Sequence, residues 1–195
     1  MEKTYEKTLP ENYEVVKIVD AKDKKTATLF TIGSFVICIG LLLAVLLPFD
    51  FTRLDINSIN KYLIILIIMQ IIYIIAHELV HGIAYKVLTK QKLTFGMTLT
   101  VAYCGVPDIY CYYKTALIAV LAPFVTFSII FVTLCIITAQ SNVNLSFIFR
   151  IITCIHISGC IGDLYVTYLL LTKYKKPTLL YNDTGPKQTF YLPKE

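Results

Sequence analysis

Four long apolar segments limit what this chain can fold into more than any other feature. Each is long enough for a helix to cross a hydrocarbon core about 30 Å thick. The segments are residues 28–49, 62–85, 115–139 and 145–172. A mean hydropathy of +0.68 and a 56% share of hydrophobic residues are typical of a membrane protein. The sequence therefore predicts an all-α membrane protein with four transmembrane helices.

The polar segments outside the apolar runs divide the chain into three predicted regions. Residues 1–27 form a charged N-terminal segment that does not resemble a cleavable signal peptide, with a short strand expected near 13–19. Residues 28–172 form the membrane domain. Residues 173–195 form a polar tail whose Lys and Pro content favours flexibility.

Residues 92–103 change the hydrophobic period between the second and third apolar segments. In KLTFGMTLTVAY, apolar side chains alternate with Thr and Gly, which is typical of a half-buried strand. The following CGVPD can turn the chain, and IYCYY can form a returning strand. A short strand or hairpin is therefore predicted here, and an amphipathic connection at the membrane surface is the alternative.

The positive charges predict the orientation in the membrane. Fifteen of the eighteen Lys and Arg residues lie in 1–27, 86–114 and 173–195, which fall on one side of a four-helix arrangement. Because cytoplasmic loops carry the excess of Lys and Arg, both termini and the strand loop are predicted to be cytoplasmic. The predicted location is the cell membrane, as a multi-pass protein.

Three ionisable residues interrupt the second apolar segment, within IIYIIAHELVHGIAY. On a helix, His77 and His81 lie one turn apart on the same face, so both imidazoles can reach one metal ion. Glu78 points about 100° away and can address a water molecule beside the ion. This HExxH pattern is typical of zinc hydrolases. A pair of structural histidines is the alternative, and the cost of ionisable groups at membrane depth disfavours it.

A third metal ligand is needed, because catalytic zinc sites generally use three protein ligands and water. Asp163 is the only other acid inside an apolar segment. It lies ten residues before Lys173, and His77 lies nine before Lys86, so similar depths are predicted. His156 lies about 10 Å further towards the outside. Asp163 is therefore the predicted third ligand, with His156 as an alternative ligand, a supporting group, a proton relay or a structural histidine.

The six cysteines include no CxxC pair, and four of them lie in apolar runs. This pattern predicts buried thiols rather than a disulfide framework or a thiolate metal site. A Cys104–Cys111 bridge is disfavoured because the predicted orientation places that loop in a reducing compartment.

Five segments together resemble a known family. They are LPENYEVVKIVD, AHELVHG, the tyrosine-containing strand loop, LAPF at 121–124 and SGCIGDLY. The chain resembles the bacterial membrane proteins described as "putative zincin peptidases", and its plan is similar to that of site-2 proteases. In site-2 proteases the ligand aspartate commonly stands in an Asn/Leu-Asp-Gly context, whereas Asp163 here follows Gly162 and precedes Leu164. The resemblance implies an intramembrane zinc peptidase.

The residues and the resemblance together predict a zinc metallopeptidase that cleaves a membrane-associated or transmembrane peptide near the cytoplasmic side. Glu78 is the predicted catalytic base, and His77, His81 and Asp163 are the predicted ligands of Zn²⁺. The lipid bilayer is the other expected partner, and no nucleic acid is expected. A non-catalytic metal-binding protein, such as a transporter subunit or sensor, stays open as the alternative. A structural or immunity-type protein with a decayed site is a third possibility, which the intact HExxH disfavours.

Overall fold

The computed structural model describes residues 3–97 and 102–194, and that part of the chain is mostly helical. The helices are α1 (Lys24–Leu46), α2 (Ile59–Thr89), α3 (Tyr113–Ser141), α4 (Val143–Gly159) and α5 (Ile161–Thr172). The strands are β1 (Tyr5–Glu6), β2 (Tyr13–Asp20), β3 (Thr94–Met97), β4 (Ala102–Gly105), β5 (Tyr110–Tyr112), β6 (Leu180–Asp183) and β7 (Lys187–Pro193). The predicted all-α class is therefore too simple, because the strands form two sheets.

The helices identify a multi-pass membrane protein. Helices α1 and α3, and the helical segment that contains α2, are each long and apolar enough to cross a membrane. Helices α4 and α5 pass this test only as a bent pair, so the described residues hold three candidate spans, or four if the pair is one. The prediction of one uninterrupted helix over 145–172 is wrong, because α4 and α5 are separate helices. Helix α4 ends where the Cys160 N–H donates to the His156 carbonyl, beside Gly159, which weakens helix continuation.

The chain divides into two compact units. The first comprises residues 1–29, 76–123 and 162–195, and the second comprises 30–75 and 124–161. All the strands belong to the first unit.

The larger sheet of the first unit joins the two ends of the chain. Its strand order is β1-β5-β6-β7-β2, and every neighbouring pair is antiparallel. The strand predicted near 13–19 is confirmed as part of β2, which pairs with β7 from Tyr13–Pro193 to Asp20–Lys187. The prediction of a flexible C-terminal tail is wrong, because this segment contains β6 and β7, which are two strands of the sheet. Their fully buried side chains include Tyr181 and Phe190.

The smaller sheet is the antiparallel pair β3–β4, with Met97 opposite Ala102. The prediction of one continuous strand over 92–103 is therefore wrong. The described residues of this segment do form strands, as predicted, but they belong to two antiparallel strands. Residues 98–101 lie outside the described part of the chain. The predicted strand in IYCYY is also confirmed, as β5, but it pairs with β1 and β6 instead of returning onto this pair.

In the second unit, side-chain amides connect the start of α4 to the segment that precedes α2. The Asp55 N–H donates to Asn144 Oδ1 at 3.0 Å, and Asn144 Nδ2 donates to the Asp55 carbonyl at 2.9 Å. Asn142 caps α4 by accepting from the Leu145 N–H at 2.9 Å. These bonds fix the polar end of α4 beside residues 50–58.

All six cysteines are free thiols. Cys104 and Cys111 are both buried, and they are not bridged. Burial raises the pKa of the Cys104 thiol to about 12, so it stays protonated at neutral pH. The prediction of buried thiols holds for four of the six, since Cys38 and Cys135 are only half-buried.

Candidate metal centre

The candidate centre is built on α2, in the part that belongs to the first unit. The helical period places His77 and His81 one turn apart, with their ring centroids 5.0 Å apart. Both side chains are largely buried, with 12% and 10% of their surface exposed. Two largely buried imidazoles thus lie within reach of one ion.

Asp163 lies against both imidazoles. Its Oδ2 atom is 3.2 Å from His77 Nε2 and 3.5 Å from His81 Nε2. Two ligand atoms that are each about 2.0–2.1 Å from a tetrahedral ion lie about 3.3–3.4 Å apart. The three side chains offer ligand atoms that all lie within 4.8 Å of one another. Two imidazole nitrogens and one carboxylate oxygen at these separations fit a zinc ion.

The interruption at Cys160 decides where the Asp163 carboxylate stands. Because α5 begins at Ile161, Asp163 lies in the first turn of that helix. The positive end of the helix dipole stabilises a carboxylate at this position. The helix break therefore supplies part of the electrostatic environment that an acid in an apolar segment requires.

A proline in α3 orients His81. The helix would normally use the Ala119 carbonyl to bind the N–H of residue 123, but Pro123 has no N–H. His81 Nδ1 lies 2.8 Å from this carbonyl oxygen, which can only accept a hydrogen bond. The hydrogen bond to this oxygen places a proton on His81 Nδ1, so Nε2 is the nitrogen that faces Asp163 and His77. Nε2 is then the nitrogen that could bind a metal once it carries no proton.

Glu78 is the next residue after His77 on α2, and its carboxylate faces the backbone of Cys104 in β4. The β3–β4 pair lies close to α2 at Gly82. A Cβ atom at residue 82 would lie 2.7 Å from Phe95 Cζ and 3.3 Å from Cys104 Sγ. The absence of a side chain at Gly82 thus lets the strand pair approach the helix beside Glu78.

A hydrogen-bonded pair supports α2 one turn beyond His81. The Tyr85 hydroxyl donates to Asp183 Oδ2 at 2.7 Å, and the Gly185 N–H donates to Asp183 Oδ1 at 2.9 Å. Asp183 is buried in β6, and burial raises its pKa to about 6, although both hydrogen bonds act in the opposite direction. The C-terminal strands thus hold the helix that carries the histidines.

His156 lies in the second unit, inside an aromatic cage. Its Nδ1 is 2.7 Å from the Tyr73 hydroxyl, and its Nε2 is 3.1 Å from Ser128 Oγ. The imidazole is fully buried among the rings of Phe124, Phe127 and Phe131. Because both ring nitrogens form hydrogen bonds, these contacts favour a structural role for His156 over a role as a metal ligand.

The sequence reasoning missed Tyr85, Ala119 and Asp183. Tyr85 follows His81 by four residues, so its place on the same helical face could have been inferred from spacing. A proline inside an apolar segment indicates a carbonyl freed one turn earlier, but the pairing of that carbonyl with His81 depends on the packing of two helices. Asp183 gives no sequence signal, since it is a single acid in a polar segment.

Comparison with known proteins identifies the chain's relatives. A family model described as "putative zincin peptidase" matches residues 70–178, which is more than half of the chain. The chain belongs to this family. The zincin-peptidase match includes HExxH and Asp163, and it ends before Asp183. Neither the curated proteins nor the solved structures give a significant match.

Membership of the zincin-peptidase family implies a metallopeptidase that uses zinc, and the His77, His81 and Asp163 cluster is compatible with that metal. The roles of the individual side chains stay predictions, as does the likeness of the plan to site-2 proteases.

We expect the detergent-purified protein to bind about one zinc ion per chain. Asp163→Ala should lose this metal because it removes one of three ligands. His156→Ala should keep it, since that imidazole lies in the aromatic cage. Plasma mass spectrometry of the purified variants measures the ratio. Loss of zinc in His156→Ala with retention in Asp163→Ala would contradict the assignment.

Pro123→Ala should weaken zinc binding by about tenfold or more, because the restored N–H of residue 123 competes with His81 for the Ala119 carbonyl. Competition with a fluorescent zinc chelator measures the dissociation constant. Pro10→Ala, in the N-terminal segment, is the matched control and should leave zinc affinity unchanged. Equal affinities for parent and Pro123→Ala would refute the orienting role of the proline.

Asp183 should make stability depend on pH. Its pKa in the folded protein, about 6, is above the ordinary value of 3.8, so the folded state holds the proton more tightly. The free energy of unfolding should therefore fall by up to about 3 kcal/mol between pH 4 and pH 6 and then level off. The measurement is thermal unfolding in detergent with a chelator, at several pH values. The loss of stability between pH 4 and pH 6 should be smaller in Asp183→Asn than in the parent. If stability depends on pH in the same way in both proteins, Asp183 is not the cause.

Proposed function

We propose that the protein is an intramembrane zinc metallopeptidase that hydrolyses a peptide bond of a membrane-associated substrate near the cytoplasmic side of the membrane. The observation that carries this proposal is the cluster of His77, His81 and Asp163, with Glu78 beside it, on helices that are apolar enough for a membrane. Family membership supports the peptidase class.

His77, His81 and Asp163 would hold the zinc ion. A zinc ion held by such ligands lowers the pKa of water towards ~7 and polarises a carbonyl oxygen. Asp163 contributes one negative charge, which offsets part of the charge of the ion. The hydrogen bond from His81 Nδ1 to Ala119 keeps Nε2 available as a ligand.

Glu78 would act as the general base and then as the general acid. Its carboxylate takes a proton from the attacking water, and the resulting carboxylic acid gives that proton to the leaving amine nitrogen. No net proton is left on Glu78 after one cycle. The position of Glu78, next to His77 but pointing to a different side of α2, suits a base that does not bind the metal.

The strand pair beside α2 would hold the substrate in an extended form. In the described residues β3 pairs only with β4, so the other edge of β3 can accept a further strand. The contacts of Gly82 place this pair beside the helix turn that carries Glu78 and His81. An extended backbone exposes the carbonyl that the water attacks, which a helical transmembrane peptide does not.

The distribution of Lys and Arg supports cytoplasmic termini. The metal ligands on α2 precede Lys86 by only a few residues, so the centre would lie in the cytoplasmic half of the membrane. A substrate would therefore be a membrane-associated or transmembrane peptide that unwinds near its cytoplasmic end.

Glu78→Gln tests the reaction, because glutamine keeps the size of the side chain and cannot take the proton. We expect peptide cleavage to fall by about 100-fold or more while zinc content stays at the parent level. The measurement compares new protein N-termini, by mass spectrometry, in membranes of cells that express the parent or the variant. Uncleaved substrate should also co-purify with Glu78→Gln.

Glu14→Gln, on the exposed part of β2, is the matched control and should cleave like the parent. If parent and Glu78→Gln give the same set of N-termini while both bind zinc, the protein is a non-catalytic metal-binding protein. If neither binds zinc after zinc is supplied, the metallopeptidase proposal is wrong.

A further inference from the structure

The second unit contains a pocket that is unrelated to the residues of the candidate metal centre. Helices α1, α3 and α4 line this pocket, which has a volume of about 490 Å³ and almost entirely apolar walls. We call it the lateral groove; its lining includes Leu41, Val45, Val132, Ile136 and Ile157. This volume is in the range of small-molecule sites, and the walls suit a hydrocarbon chain.

A smaller pocket adjoins the lateral groove and has a different character. Its volume is about 280 Å³, and it shares Ala139 and Arg150 with the groove. Arg53, Asp50 and Ser146 also line it. Two guanidinium groups and one carboxylate leave a net positive charge at this end. The combined cavity is therefore amphipathic, with an apolar body and a cationic end.

Arg150 is the residue that requires explanation. It lies on α4, where its Nε atom is buried and has no hydrogen-bond partner. In the part of the chain that the structure describes, no carboxylate lies within ion-pair distance of it. The Phe49 ring, 5.7 Å from the guanidinium carbon, offers only a weak cation–π contact. A partly buried guanidinium in an apolar segment is costly without an acceptor.

The neighbouring acid does not meet this need. The Asp50 side chain accepts hydrogen bonds within its own segment, from the Thr52 N–H at 3.1 Å and from Thr52 Oγ1 at 2.6 Å. It caps the short 3₁₀ helix Phe51–Arg53. Arg150 therefore lines a cavity in which Asp50 is the one acid among the described lining residues, and Asp50 forms no ion pair with it.

We propose that the cavity binds an anionic phospholipid, with one acyl chain in the lateral groove and the phosphate on Arg150. Guanidinium groups bind phosphate oxygens in a bidentate manner. Arg150 lies about 10 Å along α4 from its first residue, so its long side chain reaches the level where headgroups meet hydrocarbon. The net positive lining favours a lipid with a net negative charge over a zwitterionic one. The bound chain would connect α1, which has no buried residue, to α3 and α4.

Lipid-dependent thermal unfolding tests this site. The delipidated protein in detergent is titrated with phosphatidylglycerol, or with phosphatidylcholine of the same chains. Phosphatidylglycerol should raise the unfolding temperature of the parent, and phosphatidylcholine should do so at least about tenfold less effectively. Arg150→Gln should weaken the phosphatidylglycerol effect by about tenfold or more.

Two further variants separate specific binding from surface charge. Lys61→Gln removes a cation from the same side of the membrane outside the groove, and it should respond like the parent. Ala139→Phe keeps every charge but fills the junction of the two pockets, so it should lose the response. Ala139→Phe also tests the site if Arg150→Gln fails to fold.

Several outcomes would overturn the site. They are equal responses to the two lipids, an unchanged response in Ala139→Phe, and a full response to inorganic phosphate or to oleate alone. Every measurement here is of lipid-dependent stability. If the lipid site is disproved, the proposed peptidase activity is therefore unaffected. If the peptidase activity is disproved, the lipid site is likewise unaffected.

Discussion

A carboxylate between two imidazoles, inside helices of membrane-spanning character, is the arrangement on which the candidate site depends. In a membrane, an isolated charged aspartate is costly. The Asp163 carboxylate lies against His77 and His81, and it stands in the first turn of α5, where the positive end of the helix dipole stabilises a negative charge. The centre therefore requires a helix that begins inside the apolar segment, and Gly159 and Cys160 provide the interruption.

Two irregularities in the described helices affect the same few atoms of the candidate site. The break before α5 places the carboxylate, and Pro123 in α3 releases the carbonyl that orients His81. In a membrane, irregular backbone is tolerated where other protein groups satisfy its hydrogen bonds. Here the side chain that satisfies the freed carbonyl is itself a predicted ligand, so the defect and the site stabilise each other.

The sequence predicts the local features of this protein better than the distant pairings. Helical spacing predicts that His77 and His81 lie together, and the scarcity of acids in apolar segments points to Asp163. The structure brings these three side chains together, and their roles stay predictions. Hydropathy averages over many residues, so it does not detect the interruption at Cys160. The fold of residues 180–193 was missed because β7 is stabilised by β2, which lies at the other end of the chain. Pairing across that separation leaves no local period in a segment rich in Lys and Pro.

The joining of the two chain ends in one sheet has a consequence for biosynthesis. Tyr85 is translated 98 residues before its partner Asp183. The hydrogen bond that supports α2 therefore cannot form until β6 has also been translated. During translation, the nascent protein therefore has its histidines in place on a helix that still lacks this support. The helix that carries the histidines thus gains this support only after α3, α4, α5 and β6 have been made.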